Sequence, residues 1–177
     1  ALVFIFVPLW LSVDSIFCYD SIDQFILAGF LYTLVRYLQS GNRKLWILLG
    51  FLAGLACLTK MTILFLGPGF LAALLLTRYR KDLLTPWPWL GAGLCLLIVS
   101  PYLLWEVANQ WPTLEYWTAY GTSRVYEASI SQYFINVSVY MNVLFLPLWI
   151  LGLYRLFRPL NGVNYCFLGW LFLFTLA

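Results

Sequence analysis

The residues whose types and spacing could do chemistry are few: Asp20, Asp23, Lys60, Trp111 and Glu115. Asp20 and Asp23 stand three positions apart, so a helix would set both carboxylates on one face. Such a pair could hold a divalent metal ion through hard oxygen ligands, or contact a polar substrate. The same acids could simply cap the helix that follows, where N-terminal carboxylates are favoured. Asp20 fits the cap better, and Asp23, deeper in the apolar run, fits a site better. Lys60 lies between Leu55–Thr59 and Met61–Leu64, which are almost wholly apolar. An ammonium at mid-depth in lipid costs about 2.5–3.5 kcal/mol, and less at a hairpin tip from which it can snorkel. As a compact charge with rotatable donors it suits phosphate. The segment Asn109–Trp117 mixes Trp111 and Trp117 with amides and Glu115. It could stack on a sugar, touch lipid headgroups, or form an interfacial aromatic belt.

The elements that must position these groups belong in lipid. Of 177 residues, 63% are apolar and 10% charged, with a mean hydropathy of +0.87. A soluble domain carries about a quarter charged residues, so too few remain here to coat a water-facing surface. That excludes a soluble enzyme, a nucleic-acid-binding domain and a disordered segment. Histidine is absent, so no imidazole serves as base, nucleophile or metal ligand. Cys18, Cys57, Cys95 and Cys166 fall one per apolar stretch with no CxxC spacing, as small buried residues do.

Apolar runs predict an all-α, polytopic transmembrane bundle, one domain with approximate spans 1–11, 24–39, 45–59, 61–77, 89–108, 133–156 and 165–177. The run from Leu45 to Thr77 would be about 50 Å long as one helix, against a hydrocarbon core of about 30 Å. It must therefore fold back at Thr59-Lys60. Pro101 should kink the span that contains it, and Gly50, Gly54, Gly67 and Gly69 should serve close helix packing. The sequence starts at Ala without a basic leader and stops inside an apolar run, as expected of a fragment cut from a longer membrane protein.

Charge then sorts the loops. Arg36, Arg43, Lys44, Arg78, Arg80, Lys81, Arg155 and Arg158 fall at alternate connections with Asp82 as the only acid among them. Asp14, Asp20, Asp23, Glu106, Glu115 and Glu127 fall at the others, with Lys60 and Arg124. The positive-inside rule makes the first set cytoplasmic. Trp46, Trp87, Trp89, Trp111 and Trp117 lie near span ends, where interfacial aromatics belong.

The ordered segments Tyr19-Asp20-Ser21-Ile22-Asp23-Gln24, Leu45–Lys60 with its Gly50…Gly54 and closing Leu58-Thr59-Lys60, Pro101–Trp105 and Trp111–Glu115 are each short. Their order and spacing resemble bacterial membrane glycosyltransferases of the protein O-mannosyltransferase and aminoarabinose-transferase superfamily (glycosyltransferase family 39-like), a group that includes the rhizobial lipopolysaccharide galacturonosyltransferases. The resemblance covers nearly the whole chain. It implies a GT-C fold in a bacterial inner membrane, with the active face periplasmic. It implies a polyprenyl-phosphate-linked sugar as donor, and a lipid, glycan or protein as acceptor. By the same resemblance Asp23 matches the acidic position before a span, Lys60 the lysine that closes the glycine-rich one, and Asp20 matches more loosely. Met61 stands where many relatives have a histidine or a small residue. The family's catalytic base is expected upstream of Ala1, so the fragment alone should be inactive.

Two other classes compete. In a secondary transporter or channel segment, Asp23 and Lys60 would line a path; in a non-catalytic membrane subunit, the acids would be caps and the lysine an anchor. Transporters often show internal repeats, and none is visible here.

Overall fold

In a computed structural model of the protein, residues 19–60, 62–123, 129–140, 146–158 and 165–176 are described. The expected span 1–11, with Asp14 and Cys18, lies outside them, as do Met61, Arg124 and Glu127. The regular structure of the described residues is helical throughout. In chain order the helices are α1 (Tyr19–Ser40), α2 (Leu45–Thr59), α3 (Thr62–Leu76), a 3-10 segment (Arg78–Leu84), α4 (Pro86–Ala108), α5 (Pro112–Ser123), α6 (Ile130–Tyr140), α7 (Leu146–Leu156) and α8 (Cys166–Leu176).

One described helix, α4, is long and apolar enough to cross a membrane by itself. Its 23 residues reach about 34 Å at 1.5 Å each, which matches the hydrocarbon thickness. The helix α3 passes the same test only together with the 3-10 segment, from which it is bent by 100°. The helices α2 and α3 have 15 residues each, or about 22 Å.

Local sequence explains the breaks. Gly41, after α1, has φ +64°, and its N–H bonds the Tyr37 carbonyl at 2.8 Å. This left-handed closure needs a residue without a Cβ. The α2–α3 break falls at Lys60, whose N–H closes on the Ala56 carbonyl at 3.2 Å. Pro86 opens α4 at a position where its missing N–H costs nothing. Pro101 lies inside α4 without ending it.

The core joins Phe30, Leu34, Tyr37 and Leu38 of α1 to Trp46, Leu49 and Ala56 of α2, Ile63, Ala73 and Leu74 of α3, and Phe167 and Leu171 of α8. Between helices in lipid the drive is close packing rather than escape from water. Accordingly, a Cβ built on Gly50 would collide with the Gly91 carbonyl, and one on Gly91 with the Trp46 carbonyl. Gly54 faces Ile98 and Gly69 faces Leu171 and Thr175 closely but with more room, whereas Gly67 meets nothing beyond its chain neighbours. The pairings 46/91, 50/91 and 54/98 make α2 and α4 parallel neighbours. Trp46, expected at an interface, is 7% exposed, with its ring 5.6 Å from Tyr37 and 5.8 Å from Phe70. Its place at the start of α2 suits a belt, but the Tyr37 ring of α1 and the Phe70 ring of α3 pack over it.

Candidate functional site

The bundle has two chemically distinct ends. At one, the α1–α2 turn meets the 3-10 segment, and Arg43 Nε lies 3.1 Å from Asp82 Oδ1. Asp82 is buried and also accepts the Tyr37 hydroxyl. Gln39 Nε2 donates to the Tyr165 hydroxyl at 3.0 Å, which brings the start of α8 to the same end. The basic connections that sequence places on one side thus meet in space.

The opposite end holds Asp20, Asp23 and Lys60 together. Lys60 Nζ pairs with Asp20 Oδ1 and sits 5.5 Å from the Tyr19 ring centroid. The hydrogen bond to Asp20 pushes the Lys60 pKa up from its ordinary value, against a smaller opposing effect of burial. The Lys60 side chain is 43% exposed, so it remains accessible to a ligand. Asp23 is 5% exposed and faces the hairpin: Thr59 Oγ1 donates to its Oδ1 at 3.0 Å and Thr62 Oγ1 to its Oδ2 at 2.5 Å. One carboxylate therefore ties the end of α2 to the start of α3, across the break that carries Lys60. Buried in this way it satisfies both oxygens, as a charge out of water must.

Asp20 faces the Lys60 ammonium and Asp23 two threonine hydroxyls, so each carboxylate has partners within the chain. Among the described residues no group of three His, Cys, Asp or Glu side chains could hold a metal ion.

Beside this tip lies a second feature that sequence left in pieces. Glu106, near the end of α4, is 2% exposed. Its Oε1 accepts the hydroxyls of Tyr102, at 2.7 Å, and Thr113, and its Oε2 the Thr113 N–H at 3.3 Å. These bonds fold the start of α5 back onto α4. The intervening Gln110 and Trp111 both take positive φ, 63° and 62°, a conformation that non-glycine residues hold only when their surroundings impose it. The Trp111 N–H bonds the Glu106 carbonyl at 2.9 Å.

The fold-back shapes a cavity of about 450 Å³, lined mainly by apolar side chains of α3, α4 and α5: Leu64, Phe65, Leu103, Trp111, Leu114 and Trp117, with Tyr102, Glu106 and Thr113 at its polar edge. Phe65 and Trp117 approach at 5.9 Å between centroids. Trp111 thus belongs to a cavity next to the hairpin. Glu115 is exposed and outside that lining.

Thr59, Thr62, Tyr102, Glu106 and Thr113 were not singled out from sequence. Two threonines flanking a lone lysine in an apolar run were the readable sign for the first pair. For Glu106 the sign was a carboxylate within the apolar run of a span.

The family model described as dolichyl-phosphate-mannose-protein mannosyltransferase matches residues 1–105. No curated protein and no solved structure gives a significant match. The matched region contains Asp20, Asp23 and Lys60 and stops before Glu106 and Trp111. It covers more than half of the sequence, and so the chain belongs to the dolichyl-phosphate-mannose-protein mannosyltransferase family, membrane glycosyltransferases of the GT-C type.

Proposed function

We propose that this chain forms part of a multi-pass enzyme of the bacterial inner membrane that moves a sugar from a polyprenyl-phosphate donor to a lipid, glycan or protein acceptor at the periplasmic face. The observation that carries this is the meeting of Lys60, Asp20 and Asp23 at one end of the bundle, beside an apolar aromatic cavity and opposite the basic end. A lipid-linked donor needs both surfaces at once, a fixed cation for its phosphate and an apolar wall for its chain. The basic end then faces the cytoplasm.

In the reaction an acceptor oxygen attacks the anomeric carbon and gives its proton to a general base. The carbon–oxygen bond to phosphate breaks, and its electron pair stays on the phosphate oxygen. Lys60 meets the charge that builds there. Asp20 holds the ammonium in place until phosphate replaces it as partner, and Asp23 fixes the tip through Thr59 and Thr62. Trp111 lines the adjoining cavity. Glu115, on the exposed face of α5, is the outermost candidate for the acceptor. A divalent metal ion at Asp20 and Asp23 has no step in this scheme, because Lys60 already supplies the positive charge.

The test is transfer by the full-length protein in nanodiscs, with labelled polyprenyl-phosphate sugars as donors. Transfer in wild type and its loss in Lys60→Met, with folding intact, is the expected result. Full transfer in Lys60→Met would remove the lysine from the mechanism.

A further inference from the structure

A cavity of about 520 Å³ opens at the basic end, between the α1–α2 turn and the 3-10 segment, and its wall includes Arg43, Arg78, Lys81 and Asp82. It is distinct from the Lys60 tip, which lies at the other end of α2 and α3. Three cations meet one carboxylate there. Asp82 is committed to Arg43 and the Tyr37 hydroxyl, which balances one of the three. Arg78 and Lys81 have no carboxylate within ion-pair distance among the described residues. Arg78 instead lies over the Tyr79 ring at 5.2 Å, with Nη2 3.3 Å from its hydroxyl.

A second observation concerns what borders the cations. The 3-10 segment is bent by 100° from α3, so it runs across the end of the bundle rather than along it. Two residues past Asp82 it presents Leu84, 90% exposed, followed by Trp89, 65% exposed. Trp89 Nε1 is tied to the Leu83 carbonyl at 2.9 Å. Unpaired cations beside an exposed apolar ledge match a phospholipid, with phosphate on the cations and acyl chains along the ledge. A free phosphate ion would use the cations alone and leave the ledge bare.

We infer that this cavity binds the phosphate of an anionic phospholipid headgroup through Arg78 and Lys81, with the Arg43–Asp82–Tyr37 unit as its fixed floor. The inference needs a membrane around the bundle but not glycosyl transfer, so either can fail without the other.

The experiment titrates the detergent-purified full-length protein with phosphatidylglycerol, phosphatidylcholine or sodium phosphate and reads binding from the shift in thermal midpoint. Wild type is compared with Arg78→Gln/Lys81→Gln and with the charge-matched Arg36→Gln/Arg80→Gln, whose side chains are exposed and do not line the cavity. Arg78→Lys/Lys81→Arg, which keeps the charge, guards against a folding defect. The expected result is preference for phosphatidylglycerol over phosphatidylcholine, and weakening by about 10- to 100-fold in the cavity variant. The charge-matched and charge-keeping variants should stay near wild type. Sodium phosphate binding as tightly as phosphatidylglycerol would overturn the lipid assignment in favour of a free phosphate site. Equal loss in both charge-removing variants, or equal affinity for the two lipids, would overturn the site and leave only a diffuse surface charge.

Discussion

Asp20 and Lys60, 40 positions apart in sequence, meet as an ion pair at the tip of the α2–α3 hairpin. Both side chains are partly exposed, 28% and 43%, so the pair adds at most about 1 kcal/mol of stability. Its pH dependence has a definite sign. A raised lysine pKa means that the contribution is complete below the unfolded value of about 10.4 and fades as pH rises through the higher folded value. Lys60 therefore stays charged throughout the neutral range.

The competition between Asp20 and phosphate for that ammonium gives the first prediction. Asp20→Asn should tighten polyprenyl-phosphate binding severalfold, since the rival anion is gone. Lys60→Met should weaken it about 10- to 200-fold, the effect of one charged hydrogen bond of about 1.5–3 kcal/mol. Lys60→Arg should fall between, because charge survives in a larger planar head. Lipid affinity in nanodiscs, measured at pH 7 and pH 9, checks all three; equal affinities would reduce Lys60 to an anchor.

Asp23 should behave as a clamp on the hairpin. Removing its carboxylate in Asp23→Ala takes away the acceptor of Thr62 and one of the two acceptors of Thr59, which keeps the Ala56 carbonyl at 2.9 Å, and should cost about 1–3 kcal/mol. Thr62→Val alone should cost less, and the double variant less than the two single costs combined, with a coupling of about 0.5–3 kcal/mol. Thermal unfolding of the four proteins in detergent closes the cycle. Strict additivity would show that the 2.5 Å contact carries no energy.

How far the sequence could be read depends on which residues are asked. The hairpin break at Lys60 followed from length alone, because no straight helix of that run fits a bilayer. The gathering of basic loops at one end followed from their alternation. That Asp23 would bind Thr59 and Thr62, and Asp20 the lysine, required the rotation of α1 about its axis, which loop charges do not define. The burial of Trp46 had the same origin, since its ring packs on Tyr37 of α1 and Phe70 of α3, whose facing loop charges do not define either. Loop charge placed Glu106 among the outer acids, but its bonds to Thr113 were not legible, because that partner lies beyond a turn held by two positive-φ residues, which no glycine marks.

That turn gives a prediction of its own. Glu106→Gln keeps the shape but sets an amide against the hydroxyl and N–H donors of Thr113, so the thermal midpoint should fall. Gln110→Gly should raise stability or leave it unchanged, since it relieves a left-handed conformation that costs about 1 kcal/mol or more in other residues. A large loss in Gln110→Gly would mean that the glutamine side chain, not the fold-back, holds α5.

Orientation is open to labelling in a cysteine-free background. A cysteine at Asn42, exposed in the α1–α2 turn, should resist an impermeant maleimide in intact cells and react after lysis. One at Thr118, exposed on α5, should react in both. The reverse pattern would turn the Lys60 end to the cytoplasm.

Helix packing supplies the last prediction. At Gly50 an added methyl would strike the Gly91 backbone carbonyl, and backbone cannot rotate away as a side chain can. Gly50→Ala and Gly91→Ala should each force α2 and α4 apart and destabilise the protein by about 1–3 kcal/mol or more. Gly93 lies on α4, and a methyl there meets nothing within 4 Å. Gly93→Ala should therefore stabilise by about 0.4–1 kcal/mol, since alanine restricts the unfolded chain and favours helix. Thermal midpoints of the three variants in one detergent separate the cases. If Gly50→Ala melts with wild type, the two helices have room to spare, and the close approach of α2 to α4 does not set the position of the hairpin that carries Lys60.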